Sequence, residues 1–138
     1  MRILGLDLGS KTLGIALSDP SAILACGVET YQFPENKFSL PLDYITHFID
    51  NNKVDAIVIG YPKNMDGSIG SQGHVSEDFR SALLERITIP VFLWDERLTS
   101  RMVNRVMISA DVSRKKRKEI VDRLAATVIL QSYLDSRK

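Results

Sequence analysis

The segment Val54–Gly60, VDAIVIG, sets the tightest limit on what this chain can fold into. Residues 56 to 59 are apolar at consecutive positions, and the run is too short for a typical helix. A strand of this kind is covered on both faces, which is the habit of parallel strands packed between helices. Arg2–Leu8, RILGLDL, has the same character near the start of the chain, with one carboxylate inside it.

Turn chemistry and periodicity divide the rest. Gly9 to Thr12 reads as a turn, Leu13–Ser18 as a strand ended by Asp19-Pro20, and Leu24–Phe33 as a third strand followed by a loop at Pro34-Glu35-Asn36. Leu42, Ile45, Phe48 and Ile49 share one face of a helix reaching about Asn51. Tyr61–Gly73, rich in Gly, Ser, Pro and Asn, reads as a loop, and Val75, Phe79, Ala82 and Leu83 as a helix to about Arg86. Pro90 opens a strand over Val91–Trp94. Thr99 is suited to cap a helix from Ser100 to about Ile108, and Ser113 a last helix to about Asp135. Three leading strands followed by β-α-β alternation predict a meander extended by right-handed parallel crossovers. The expected fold class is therefore α/β, a five-stranded mixed sheet flanked by helices on both faces.

A chain of 138 residues, 44% hydrophobic and 25% charged, is expected to form one domain over 1–138 with its own core. It has no 18-residue apolar stretch, so no membrane-spanning helix is expected. The N-terminus lacks the apolar core and cleavage pattern of a signal peptide. A single cysteine, Cys26, excludes an internal disulfide and a cysteine-based zinc site, and a reducing cytoplasm is the simplest compartment. Net charge is +1, but Arg97–Lys118 holds eight basic residues and one acid, leaving that segment at +7 and the remainder at −6. That asymmetry points to a polyanionic partner.

Three carboxylates stand out. Asp7 follows Ile3-Leu4-Gly5-Leu6 in a strand that reads as central, and burying an unpaired carboxylate is costly. Either a cation or donor meets it, or it caps the following turn. Asp95 and Glu96 follow the Val91–Trp94 strand, at the end where parallel sheets gather functional groups. Adjacent strand residues face opposite sides, so one of the two faces the Asp7 site, and Glu96 is favoured; the plain alternative is a salt bridge to Arg97. Asp122 shares a helix side with Ala125, Ala126 and Ile129, unless it is solvated beside Arg123 or Lys118. Converging carboxylates repel unless they hold a hard divalent ion, for which Mg²⁺ or Mn²⁺ fits best. A pair of such ions suits phosphodiester hydrolysis.

Three blocks give the chain a family likeness: GLDLGSKTLGIALSD (Gly5–Asp19), IGYPKNMDGSIGSQG (Ile59–Gly73), and DERLTS (Asp95–Ser100) with KKRKEIVDRLAATVILQSYLD (Lys115–Asp135). Over nearly its whole length it resembles the YqgF/RuvX family of bacterial nucleases, homologues of RuvC-like Holliday junction resolvases. The resemblance implies an RNase H-like fold. It implies that Asp7, Glu96 (or its neighbour Asp95) and Asp122 are catalytic, metal-binding acids, and that the protein matures the 5′ end of small-subunit ribosomal RNA. Two departures stand out. Tyr61 occupies a position where the family usually has a small aliphatic residue, and the acid of the RuvC branch on the fourth strand is missing from Ile57-Val58-Ile59-Gly60.

Several cations suit a nucleic-acid backbone. Lys63 and Asn64 open the Gly-rich loop, and Lys11 follows the Asp7 turn. Arg114, Lys115, Lys116, Arg117 and Lys118 crowd a helix start, against the helix dipole, which suits phosphate binding better than structure. Arg101 and Arg105 extend the patch on the preceding helix, beside Arg97. His47 reads as a rim residue, His74 as a neighbour of the loop without a catalytic role, and Cys26 and Trp94 as core.

The leading expectation is a metal-dependent nuclease acting on a ribosomal RNA precursor, with the pre-ribosomal small subunit as a partner. One alternative is resolution of branched DNA, which needs two sites acting together and hence a homodimer, or monomers assembled on a two-fold substrate. Another is a non-catalytic RNA-binding assembly factor, which would have no use for three acids beside phosphates. A nucleotide-hydrolysing reading of Asp7–Gly14 lacks the second lobe that such enzymes close over ATP.

Overall fold

The computed structural model describes residues 1–95 and 114–137, with the backbone alone described over 114–122. Strands β1 (Ile3–Leu8), β2 (Thr12–Ser18) and β3 (Ala25–Gln32) form the expected antiparallel meander. β4 (Ala56–Tyr61) and β5 (Val91–Asp95) join parallel to β1 on its other side, giving one sheet in the order β3-β2-β1-β4-β5. Helix α1 (Ser39–Asn52) connects β3 to β4, α2 (Ser71–Leu84) connects β4 to β5, and α3 (Arg114–Ser136) follows. The helix expected over 100–108 lies outside the described residues. Among the described residues no helix is long and apolar enough to cross a membrane.

The unbroken apolar runs become the two-sided centre of the sheet. Leu4, Leu6, Leu13, Ile15, Ile57 and Ile59 pack with Ile45 and Ile49 of α1 and Phe79 and Leu83 of α2. The alternate residues Ile3, Ala16, Ala56 and Val58 pack on the opposite face with Ala126, Ile129 and Leu130 of α3. Full burial of each large aliphatic side chain contributes roughly 1.5–3 kcal/mol, so the central strands carry much of the driving force.

Small residues decide how close α3 comes. Gly5 pairs with Ala16 and Ala16 with Gly27, a row crossing β1, β2 and β3 on the α3 face. A Cβ on Gly5 would lie 2.7 Å from Leu130 Cβ and 3.1 Å from the Ala126 carbonyl oxygen; one on Gly27 would lie 2.9 Å from Arg123 Cγ. At Gly5 the obstacle is the helix itself, whereas at Gly27 it is the side chains of Arg123 and Thr127, which would have to shift.

Three expectations are revised. α2 starts at Ser71, inside the stretch expected to be loop, because the composition that signals a turn here supplies a helix start: Gly70 is its N-cap and Gly73 packs against the preceding chain. Cys26 is exposed rather than core, because β3 is the outermost strand and the alternate residue, Gly27, is the one facing α3. Trp94 is half-buried; its ring stacks on Tyr133 at 5.5 Å and its indole N–H donates to Ser132 Oγ at 3.2 Å.

The β2–β3 connection is organised by Asp19, whose carboxylate accepts backbone N–H groups of Leu24 (2.9 Å), Ile23 (2.8 Å) and Ser21 (3.3 Å). Donation from Leu24, then Ile23, holds this carboxyl below its ordinary pKa.

Two outcomes follow from this packing. Gly5→Ala should cost about 1–3 kcal/mol through overpacking against Leu130, read as a lowered midpoint in chemical denaturation. Asp19→Ala should destabilise the protein at neutral pH. The ionised Asp19 contributes stability above the ordinary carboxylate pKa and loses it as pH falls through the depressed value, so the melting temperatures of the two proteins should converge in acid. A difference that stays constant with pH would refute the Asp19 role.

Candidate active site

β1, β4 and β5 are parallel, so their carboxyl ends share one edge of the sheet, where functional groups collect in open α/β sheets. Asp7 is the penultimate residue of β1 and is half-buried. Its partner on β2 is Gly14, and on the other side, one step past the Leu6–Ile59 pair, stands Gly60, itself paired with Trp94. Both cross-strand neighbours of the carboxylate therefore lack side chains. Asp7 shares the pleat of Ile3 and Gly5, so it belongs to the face that α3 covers.

The direction of α3 follows from its contacts. Gln131 Oε1 accepts the Ala25 N–H at 2.9 Å, while Arg123 lies against Gly27. The helix thus runs antiparallel to β3 and to β1. Ala126 and Leu130 sit over Gly5, and one turn nearer the helix N-terminus is position 122. Along β1 the corresponding step from Gly5 leads to Asp7. The backbone therefore carries position 122 towards the end of the sheet that holds Asp7.

Register separates the two acids after β5. Val91 and Leu93 pack with the α1 and α2 core, whereas Phe92 and Trp94 contact Tyr133 of α3. Alternation puts Asp95, the partner of Tyr61, on the side of Val91 and Leu93, across the sheet from Asp7. Glu96 and the side chain of Asp122 lie outside the described residues. Among the described residues no group of three His, Cys, Asp or Glu comes together.

The candidate phosphate-binding groups divide in the same way. Lys11 is exposed in the turn after β1, which Gly9 closes by donating its N–H to the Thr12 carbonyl at 2.8 Å. Lys63 and Asn64 begin a short hairpin rather than an open loop: Lys63 bridges to Ile69, and the Asn64 N–H donates to the Ser68 carbonyl at 2.9 Å. Gly67 closes it with φ at 89°, a conformation that favours glycine. The Asn64 amide also donates to Ser68 Oγ at 3.0 Å, so this side chain has a structural role in the hairpin. Arg97, Arg101 and Arg105 lie outside the described residues, as do the side chains of Arg114, Lys115, Lys116, Arg117 and Lys118; the backbone of these last five forms the start of α3.

One cluster was not foreseen. The Tyr61 hydroxyl donates to Glu77 Oε2 at 2.8 Å, and His74 Nδ1 meets Glu77 Oε1 at 2.8 Å. The Tyr61 hydroxyl, then His74, holds the Glu77 carboxyl below its ordinary pKa, and the same carboxylate raises that of Tyr61. The i,i+3 spacing of His74 and Glu77 was a visible signal, but the link to Tyr61 crosses between elements. Close by, Gln72 Nε2 donates to the Leu8 carbonyl at 2.8 Å and ties the start of α2 to the end of β1.

RuvC from Thermus thermophilus superimposes with a TM-score of 0.62 at 11% identity, covering 99% of this chain and 96% of that one. The fowlpox virus Holliday junction resolvase does so with a TM-score of 0.59 at 14% identity, over 100% of both chains. The architecture is thus the RuvC-like, RNase H-like fold. The family described as "RuvX: Holliday junction resolvase" matches residues 1–136. Relatives bearing the name "Putative pre-16S rRNA nuclease" include one from Geobacillus sp. strain WCH70, 49% identical over 138 residues and 100% of both chains. Another, from Listeria monocytogenes serotype 4b strain CLIP80459, is 51% identical over 136 residues and 99% of each chain. The chain belongs to the RuvX family, and family, relatives and fold together make it a nuclease, a hydrolase of phosphodiester bonds.

Tyr61→Phe removes the first of the two groups that favour the Glu77 carboxylate. Carboxyl-carbon NMR should then find Glu77 titrating closer to the ordinary carboxylate range, with the fold intact. An unchanged titration would mean that the hydroxyl does not hold this carboxylate.

Proposed function

We propose that this RuvX-family nuclease is divalent-metal-dependent and matures the 5′ end of pre-16S ribosomal RNA in the cytoplasm, acting on the precursor or on the pre-ribosomal small subunit. The observation that carries the reading is Asp7: a carboxylate at the open end of the central strand, on the α3 face, with glycine on either side. The donor chemistry fits a hard cation, since carboxylate oxygen is what Mg²⁺ and Mn²⁺ prefer, and Gly14 and Gly60 add no side chain to crowd a hydrated ion. Asp7, Glu96 and Asp122 would hold one or two such ions. Asp95 is the weaker candidate, because alternation turns it to the other face. When bound, the metal supplies an activated water and stabilises charge on the leaving oxygen.

The chain's own groups do the rest. Lys11, Lys63, Arg97, Arg101, Arg114, Lys115, Lys116, Arg117 and Lys118 bind the backbone of the strand, and Asn64 shapes the hairpin that presents Lys63. Such contacts position the substrate without reading its sequence. The names of the curated relatives support ribosomal RNA as the substrate. The likeness to resolvases keeps branched DNA as a second reading, which requires a homodimer to cut two strands symmetrically.

The deciding assay incubates wild type and Asp7→Asn, with Mg²⁺ or Mn²⁺, on a pre-16S fragment, generic single-stranded RNA and a four-way DNA junction. Wild type should cleave the precursor, and Asp7→Asn should lose more than the roughly 10–100-fold typical of changes one shell away from a metal. Junction cleavage without RNA cleavage would favour resolution. Full activity in Asp7→Asn would overturn the site.

A further inference from the structure

Tyr61 is the last residue of β4 and is half-buried. Its ring is clamped. The hydroxyl donates to Glu77, and Glu77 is held from its other oxygen by His74, both on α2. Gly73, in the first turn of α2, makes room: a Cβ there would lie 2.7 Å from Ile69 Cγ2, 2.9 Å from the Pro62 carbonyl oxygen and 3.6 Å from Tyr61 Cε1. Glycine inside a helix is otherwise unfavourable. Over the clamped ring lies the Lys63 ammonium, 5.5 Å from the centroid, close enough for a cation–π attraction. The Lys63 backbone is fixed as well, by its bridge to Ile69. Lys63 is three residues beyond Gly60, so at most about 10 Å of extended chain separates it from the neighbour of Asp7.

We propose that Tyr61 is a positioning residue for Lys63: the ring, fixed through Glu77 on the α2 side of the sheet, holds the ammonium at the carboxyl end of β4, where it takes a backbone phosphate of the strand that crosses this end of the sheet, outside the phosphodiester cleaved beside Asp7. The inference rests on the nuclease reading above. It gives His74 and Glu77 a role as supports rather than as proton carriers. A lysine on a flexible stem loses rotamer freedom when it binds phosphate, and an aromatic shelf that holds it beforehand lowers that cost.

The test uses the full-length protein carrying Asp7→Asn, so that RNA is bound without being cut, and a fluorescein-labelled single-stranded RNA read by anisotropy over a salt series. Lys63→Gln should weaken binding and reduce the slope of log affinity against log salt by about 0.7, the loss of one phosphate contact on a single strand. Tyr61→Leu should weaken binding roughly two- to fivefold. Added to Lys63→Gln it should weaken binding no further, because the ring acts only through the ammonium. Glu77→Gln in the same cycle gives a second reading if Tyr61→Leu does not fold. Wild-type affinity and salt slope in Lys63→Gln, or losses that simply add in the double variant, would overturn the proposal. A merely structural Tyr61 produces that additive result. Coupled losses here, together with a wild type that cleaves none of the three substrates in the assay above, would uphold the positioning role while rejecting the nuclease reading.

Discussion

The contact of α3 with the sheet at Gly5 governs the rest of the molecule. Leu130 Cβ and the Ala126 carbonyl oxygen come within 2.7 and 3.1 Å of where a β-carbon on Gly5 would be, so the helix packs directly on the backbone of β1. Ala16 and Gly27 continue the low ground across the sheet and fix the path of the helix as well as its height. Once that path is set, the turn bearing position 122 is directed at the row of Asp7. The approach of α3 to the Asp7 row is therefore a by-product of packing: three small residues on three strands set the path of the helix backbone.

The strands were legible because a run of consecutive apolar residues has few alternatives in a chain of this length. The meander followed by parallel strands was legible for a similar reason, since helical periodicity intervenes only after the third strand. The start of α2 was not, because Gly70, Ser71 and Gly73 have turn composition; Gly73 is there to admit Tyr61, Pro62 and Ile69, a contact formed only in three dimensions. Cys26 misled for a different reason. Strand patterning reports alternation, but not whether the strand will be an edge.

The acids illustrate how far local sequence reaches. Pleating alone says that adjacent residues of a strand face opposite ways. Which faces Asp7 needs the register of β5 against β4, together with the knowledge that Val91 and Leu93 belong to the α1 and α2 core. The Tyr61–Glu77–His74 cluster lies further out of reach, since Tyr61 and Glu77 are brought together by the crossover from β4 into α2. Both gaps are of one kind: side-chain chemistry is readable locally, whereas its convergence is a property of topology.

The sheet is sealed unevenly. Two helices, linked by the Arg86–Asp43 ion pair beyond the end of α2, cover one face, while among the described residues α3 alone lies on the other. α3 lies against β1, β2, β3 and β4 together, so lifting it would uncover Ile3, Ala16, Ala56 and Val58 at once. A helix tied to four strands opens with the sheet rather than ahead of it. The face that carries Asp7 is therefore held by the same cooperative unit as the central strands, and what binds there meets a rigid floor.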